Sequence, residues 1–257
     1  MNIENNIIKK QLEHRTIRQF KDEKVPKTIF DQLIEVGRRT ASSTGIQACS
    51  IIRVTDSTIK EEIAKVCKQE YVARMPELLI FIVDQYRNSQ IAKEKNCIEG
   101  GSKDMDRFFS AYTDACITAQ NIVNAAESFE LGTVYLGSIL NDSEKICELL
   151  NLPILTYPVV GLGFGYPNEE PGLKPRMDMK LRLFENKYKT YDNYLEKIKD
   201  YDEEMQTYYD LRDVNQRRDS FSDQIVTRLS HETPKRQEML NVIKKQGFEL
   251  KIYEKKL

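Results

Sequence analysis

The feature that most constrains this fold is a long apolar repeat between Met105 and Glu130. Met105, Phe108, Phe109, Tyr112, Ala115, Cys116, Ala119, Ile122, Val123 and Ala126 recur at steps of three and four residues, the spacing that lines one face of an α-helix. A helix this long and this apolar is central to its domain. Its aromatic stripe reads as core or subunit interface rather than as a ligand box. Cys116 lies inside the pattern and reads as core.

Around that helix the chain alternates. Short runs rich in β-branched and aromatic residues predict strands at 50–55, 78–84, 133–137 and 158–164, with a further short one at 248–253. Helices fall between most of them, so the class is mixed α and β. Thr28 before Asp31, and Thr58 before Glu61, read as hydroxyl caps that open two helices. The Pro- and Gly-bearing stretch 165–175 reads as an extended loop. Beyond Tyr188 the composition turns charged and helical. The expected organisation is a core over 1–190 and a C-terminal helical extension over 191–257 within one domain.

Composition excludes several classes. Thirty-nine basic and 40 acidic residues leave a net charge of −1, without the basic excess of a nucleic-acid binder. No apolar run approaches the length needed to span a bilayer, about 20 residues. The N-terminal residues lack the basic start and apolar block of a signal peptide, so a cytoplasmic protein is expected. The five cysteines, Cys49, Cys67, Cys97, Cys116 and Cys147, form no CxxC pair. With only two histidines in the chain, no zinc spacing arises and no metal site is expected.

Two basic clusters stand out. One is His14-Arg15-Thr16-Ile17-Arg18, and the other is Lys174-Pro175-Arg176. Guanidinium forks match phosphate oxygens two bonds at a time, so the clusters could converge on one phosphorylated cofactor. Each could equally be a solvated surface patch. The glycines of 159–165 have GxGxG spacing and lead into Tyr166-Pro167. They lack the GxGxxG turn and following helix of a dinucleotide fold. A strand whose glycines admit a flat ligand fits them better.

Taken in order, these segments resemble the nitroreductase superfamily, in particular its NADPH-dependent, FMN-containing branch of oxygen-insensitive nitroreductases and flavin reductases. The resemblance spans nearly the whole chain. It rests on His14–Phe20, Ala41–Gln47, Gln69–Ala73, Gly132–Gly137, Gly161–Pro167, Leu173–Arg176, the tail from Tyr208 to Ser222, and Lys245–Phe248. It implies an α+β nitroreductase-like fold: a central, mostly antiparallel sheet flanked by helices, assembled as a homodimer with FMN at the interface. By that resemblance His14, Arg15 and Arg176 grip the FMN phosphate, beside Thr16. Arg18, Gln69 and Lys174 lie near the pyrimidine edge or the phosphate. Ser42, Ser43 and Thr44 add donors from a loop. Tyr71, Tyr135, Gly137, Ser138 and Gly163 complete the cofactor set. Arg212 and Arg217 match positions that bind the NADPH 2′-phosphate. Ser138 replaces a glycine, Leu140 stands where relatives often carry arginine, and Phe221 takes a usual tryptophan position.

The activity so implied is an FMN-dependent NAD(P)H oxidoreductase working by ping-pong hydride transfer, with NADPH as reductant, NADH as a possible substitute, and a nitroaromatic, quinone or related flat molecule as acceptor. No side chain need act as a catalyst, because the flavin carries the chemistry. The alternatives are a flavin reductase that releases reduced FMN, or a flavin-binding protein without hydride chemistry.

Overall fold

The computed structural model describes residues 5–97, 100–212 and 220–251. Residues up to Glu169 together with those from Thr233 form one compact unit, and Glu170–Glu232 form a second.

The first unit is built on four strands: β1 (Cys49–Arg53), β2 (Glu77–Asp84), β3 (Gly132–Leu136) and β4 (Thr156–Gly165). They form one sheet in the order β1-β2-β4-β3, with every pairing antiparallel. The register sets Cys49 against Val83, Glu77 against Phe164 and Gly132 against Gly165. β2 is buried along its whole length, which explains a near-continuous apolar run, Leu78–Val83, where a half-exposed strand would alternate.

The helices of this unit are α1 (Asn6–Leu12), α2 (Lys27–Arg38), α3 (Ser57–Cys67), α4 (Gln85–Glu94), α5 (Met105–Ser128) and α6 (Ser143–Leu149). α5 packs across all four strands. It buries Phe108, Ala111, Ala115, Ala119, Ile122, Val123 and Ala126, so the helix expected from the repeat is the centre of the core. Its small residues let the sheet approach closely. Cys116 departs from expectation and is exposed, and Phe109, read as core or subunit interface, is 61% exposed and so lies outside the core, because the apolar repeat is wider than the face the sheet can cover.

Two helix starts also differ. α2 opens after Pro26 with no side-chain cap, so Thr28 lies inside the helix. α3 is capped by Asp56, whose carboxylate accepts from the Ile59 amide at 3.0 Å. A charged acceptor two residues upstream takes the bond expected of Thr58.

The second unit contains α7 (Tyr194–Arg212) and α8 (Phe221–Ser230), which pack on each other through contacts such as Tyr201 on Phe221 at 5.1 Å. The helices that follow, α9 (Pro234–Gln237) and α10 (Met239–Lys245), belong to the first unit. There Lys245 pairs with Glu144 at 2.7 Å and Gln246 donates to the Pro153 and Thr156 carbonyls. The helical tail expected over 191–257 is therefore divided between the two units. In place of the strand expected at 248–253, Glu249 makes one isolated bridge to Asp104. Phe248 is instead an anchor, buried edge-on against Phe108 at 4.9 Å, and residues from 252 lie outside the described set. Among the described residues no helix is long and apolar enough to cross a membrane.

Candidate functional site

The His14–Arg18 segment is not a loose surface patch. The Ile17 amide donates to the Thr133 carbonyl at 2.9 Å and Thr16 bridges Thr133, which lays the segment along the outer edge of β3. Gly132 permits this, since a Cβ there would meet Ile17 Cβ at 2.7 Å. Further on, Phe20 bridges Pro167, and the Asn168 amide donates to the Gln19 carbonyl at 2.9 Å. Glu169 accepts from the amides of both Arg18 and Gln19.

Side chains of this segment reach two further elements. His14 Nδ1 lies 2.5 Å from Glu127 Oε1, which also accepts from the Thr133 hydroxyl at 2.9 Å. The Arg18 guanidinium lies against the Tyr71 hydroxyl. Burial pushes that phenol above its ordinary range while Arg18 draws it down. Two residues before Tyr71, Gln69 accepts a bond from Ser138 at 2.9 Å. Ser138 follows Gly137, at the end of β3. His14, Thr16, Arg18, Gln69, Tyr71, Gly137 and Ser138 thus form one connected rim around β3. Tyr135, on the same strand, donates to Gln120 at 3.2 Å, and its phenol is raised mainly by burial.

The rim holds unused capacity. Arg15 Nε is buried without a partner, although its Nη1 donates to the Glu13 carbonyl at 2.9 Å. A Cβ at Gly137 would meet nothing within 4 Å. A cleft of about 1070 Å³ opens beside Arg18 and Tyr71, where Lys21, Lys24 and Arg74 are balanced by Asp22, Glu23 and Glu77; Arg15 and Gly137 do not line it.

Other expected residues lie elsewhere. Ser42, Ser43 and Thr44 form a tight turn held on α5, where the Ser43 amide donates to Asp114 at 2.9 Å and Ser42 Oγ accepts from Gln47. Asp114 and Glu127 are thirteen residues apart on α5, or about 20 Å along the axis at 1.5 Å per residue. One copy of the chain therefore does not bring this turn to His14. Gly163 is buried in β4, and a Cβ there would meet Met75 Sδ at 2.2 Å. Gly161 and Gly165 are filled likewise, by Leu136 and Pro76. These glycines admit neighbouring side chains, not the flat ligand expected of them.

The chain matches the nitroreductase family over residues 12–166 and that family's C-terminal domain over residues 174–251. The chain belongs to the nitroreductase family. It is an oxidoreductase. It is 36% identical over 239 residues to a Staphylococcus saprophyticus NADPH-dependent oxidoreductase, covering 91% of this chain and 94% of that protein. It is 37% identical over 236 residues to a Salmonella typhimurium oxygen-insensitive NADPH nitroreductase, covering 91% and 95%. The solved structure of a Vibrio harveyi NADPH:FMN oxidoreductase complexed with NAD+ superposes with a TM-score of 0.86 at 31% identity, covering 96% of this chain and all of that one.

In this member of the nitroreductase family, Lys174 and Arg176 lie in the second unit. Arg176 Nη1 donates to the Lys174 and Pro175 carbonyls at 2.9 and 3.1 Å. Arg212 closes α7, and Arg217 lies outside the described residues. Three carboxylates escaped the sequence reading: Glu127, Glu169 and Asp114. Asp114 and Glu127 had a signal, since each interrupts the apolar helix near its buried face. Glu169 had none. Among the described residues no group of three or more His, Cys, Asp or Glu could hold a metal ion.

Proposed function

We propose that this nitroreductase-family enzyme is an FMN-dependent NAD(P)H oxidoreductase, with NADPH as reductant and nitroaromatics, quinones or related flat molecules as acceptors. The observation that carries this reading is the connected rim around β3, with the buried, unpartnered Nε of Arg15 and the open face of Gly137. An orphaned guanidinium donor fits a phosphate, and an open glycine fits a planar ring. The residues present therefore suit FMN.

His14, Arg15 and Thr16 would hold the phosphate, and the family resemblance adds Lys174 and Arg176 to that set. Arg18, Gln69, Tyr71 and Tyr135 would flank the ring, and Gly137 and Ser138 would offer it backbone. FMN, when bound, carries the electron pair from a reduced nicotinamide to the acceptor. The chain's part is electrostatic and positional. Arg18, fixed by its pinned backbone, offers a preorganised cation where negative charge develops. Arg212 and Arg217 would select the 2′-phosphate of NADPH.

The proposed assembly is a cytoplasmic homodimer with FMN at the interface. Two observations support it. The turn 42–44 is held far along α5 from His14, so a second copy could supply it. The outer face of α5 exposes Phe109, Cys116 and Ile117, with Tyr135 also exposed on β3. All five cysteines are free, as in a reducing compartment.

The name of the Vibrio harveyi relative favours a second reading, in which free FMN is itself the acceptor. Steady-state turnover with free FMN, a quinone and a nitroarene separates the two. A quinone or nitroarene used in preference supports the main reading, and preference for free FMN supports the second.

A further inference from the structure

The Glu127 carboxylate has a role that no flavin-facing motif in the sequence announces. It lies in the last turn of α5, its side chain only 12% exposed. A carboxylate there faces the negative end of the helix dipole, and the charge calls for local compensation. It finds two donors on one oxygen: His14 Nδ1 at 2.5 Å and the Thr133 hydroxyl at 2.9 Å. Thr133 is a fixed reference, since it is buried in β3 and pairs through its backbone with Thr16 and Ile17. The imidazole is therefore oriented by a group 113 residues away.

That orientation leaves His14 Nε2 without a partner among the described residues. The next side chain, Arg15, has its buried Nε equally unspent. Arg15 Nε is a donor held ready for an anion, and His14 Nε2 becomes a second when the ring is an imidazolium.

We propose that Glu127 is a positioning residue for the cofactor phosphate, fixing the His14 ring with a proton on Nδ1 so that Nε2 is the nitrogen presented to a phosphate oxygen. The inference rests on the FMN reading above. With phosphate bound, the ring lies between two anions as an imidazolium, donating Nδ1–H to Glu127 and Nε2–H to a phosphate oxygen. Thr133 is part of the device, because it stops the carboxylate from swinging with the ring.

The test is the dissociation constant of the flavin-free protein for FMN and for riboflavin, which lacks the phosphate, read by flavin fluorescence. Glu127→Gln keeps an oxygen for Thr133 and removes the charge. It should weaken FMN about ten-fold, the size of one charge-assisted hydrogen bond, and leave riboflavin unchanged. In a His14→Ala background the same substitution should cost nothing further. Glu127→Asp, which keeps the charge but shortens its reach, should give a smaller loss of the same phosphate-dependent kind. Equal weakening of both flavins, unchanged FMN affinity, or a further FMN loss in the His14→Ala background would each overturn the proposal. If the unaltered protein binds FMN and the variants behave in one of those ways, only this inference fails. If the unaltered protein binds no FMN, the cofactor reading fails with it.

Discussion

The two basic segments, His14–Arg18 and Lys174–Arg176, read alike in the sequence and are built differently. The first is fastened by distant partners: Glu127 on its histidine, Thr133 and Glu169 on its backbone, and Tyr71 beside its last arginine. In the second, the Arg176 guanidinium turns back on carbonyls one and two residues away. A cation fixed by the fold attracts an anion with little reorganisation, whereas one bonded to its own backbone must first give up those bonds. Sequence spacing shows which residues can grip. The elements packed around them decide which are already in position to do so.

The largest expected effect tests that contrast directly. Arg18→Ala should raise the FMN dissociation constant by about ten- to a hundred-fold, the span of one or two charged hydrogen bonds. Arg176→Ala should cost less, about three- to ten-fold, because its net gain on binding is reduced. Equilibrium binding of FMN to the two variants checks this. An Arg176 variant weaker than the Arg18 variant would reverse the comparison.

A second pair of substitutions separates building the rim from lining it. Gly132→Ala drives a methyl into Ile17, whose Cβ would lie 2.7 Å away. It should destabilise the fold by about 2 kcal/mol through overpacking. Gly137→Ala meets open space, so its midpoint of urea unfolding should hardly move while FMN affinity falls. Equal loss of stability in both would sink the distinction.

The exposed face of α5 supplies the next test. Phe109→Asp puts a charge on a side chain that one copy of the chain leaves 61% exposed. Sedimentation velocity should show dimer dissociating to monomer, with FMN lost as the copies part. A dimer that persists unchanged would remove α5 from the interface.

The smallest effect is on alkaline stability. Burial pushes the Cys49 thiol from 9.0 to about 12, with the Asp114 carboxylate adding to the rise, and the Cys147 thiol likewise to about 12. Both stay neutral in the folded chain at pH values where the unfolded chain ionises them. Their contribution is therefore complete below about pH 9 and is lost as pH rises from about 9 to about 12. Thermal unfolding followed across that interval should show a falling midpoint, less steep in Cys49→Ala. An identical slope in that variant would contradict the assignment to Cys49.

What the sequence revealed followed from what each signal measures. Periodicity located α5 and all four strands, because burial on one face or both leaves a local imprint. It misplaced Cys116, since an apolar residue awaiting a partner looks the same as one in the core. Local capping patterns missed Asp56 and Pro26, where neighbouring residues offered a competing start. The resemblance picked out the rim residues by order and type. It could not show that Gly163 is spent on Met75, nor that Glu127 and Glu169 hold the first basic segment in place, because the first pair is separated by most of the sheet-forming chain and the other two partners lie 113 and 151 residues away in sequence.

The central claim is that the rim around β3 holds a flavin reducible by a nicotinamide. The most direct measurement is the visible spectrum of the purified protein, followed under anaerobic conditions on addition of NADPH and, separately, NADH. The account expects a bound flavin spectrum that bleaches rapidly with NADPH. A protein that is colourless and fails to take up added FMN, or a yellow one that neither nicotinamide bleaches, would contradict it.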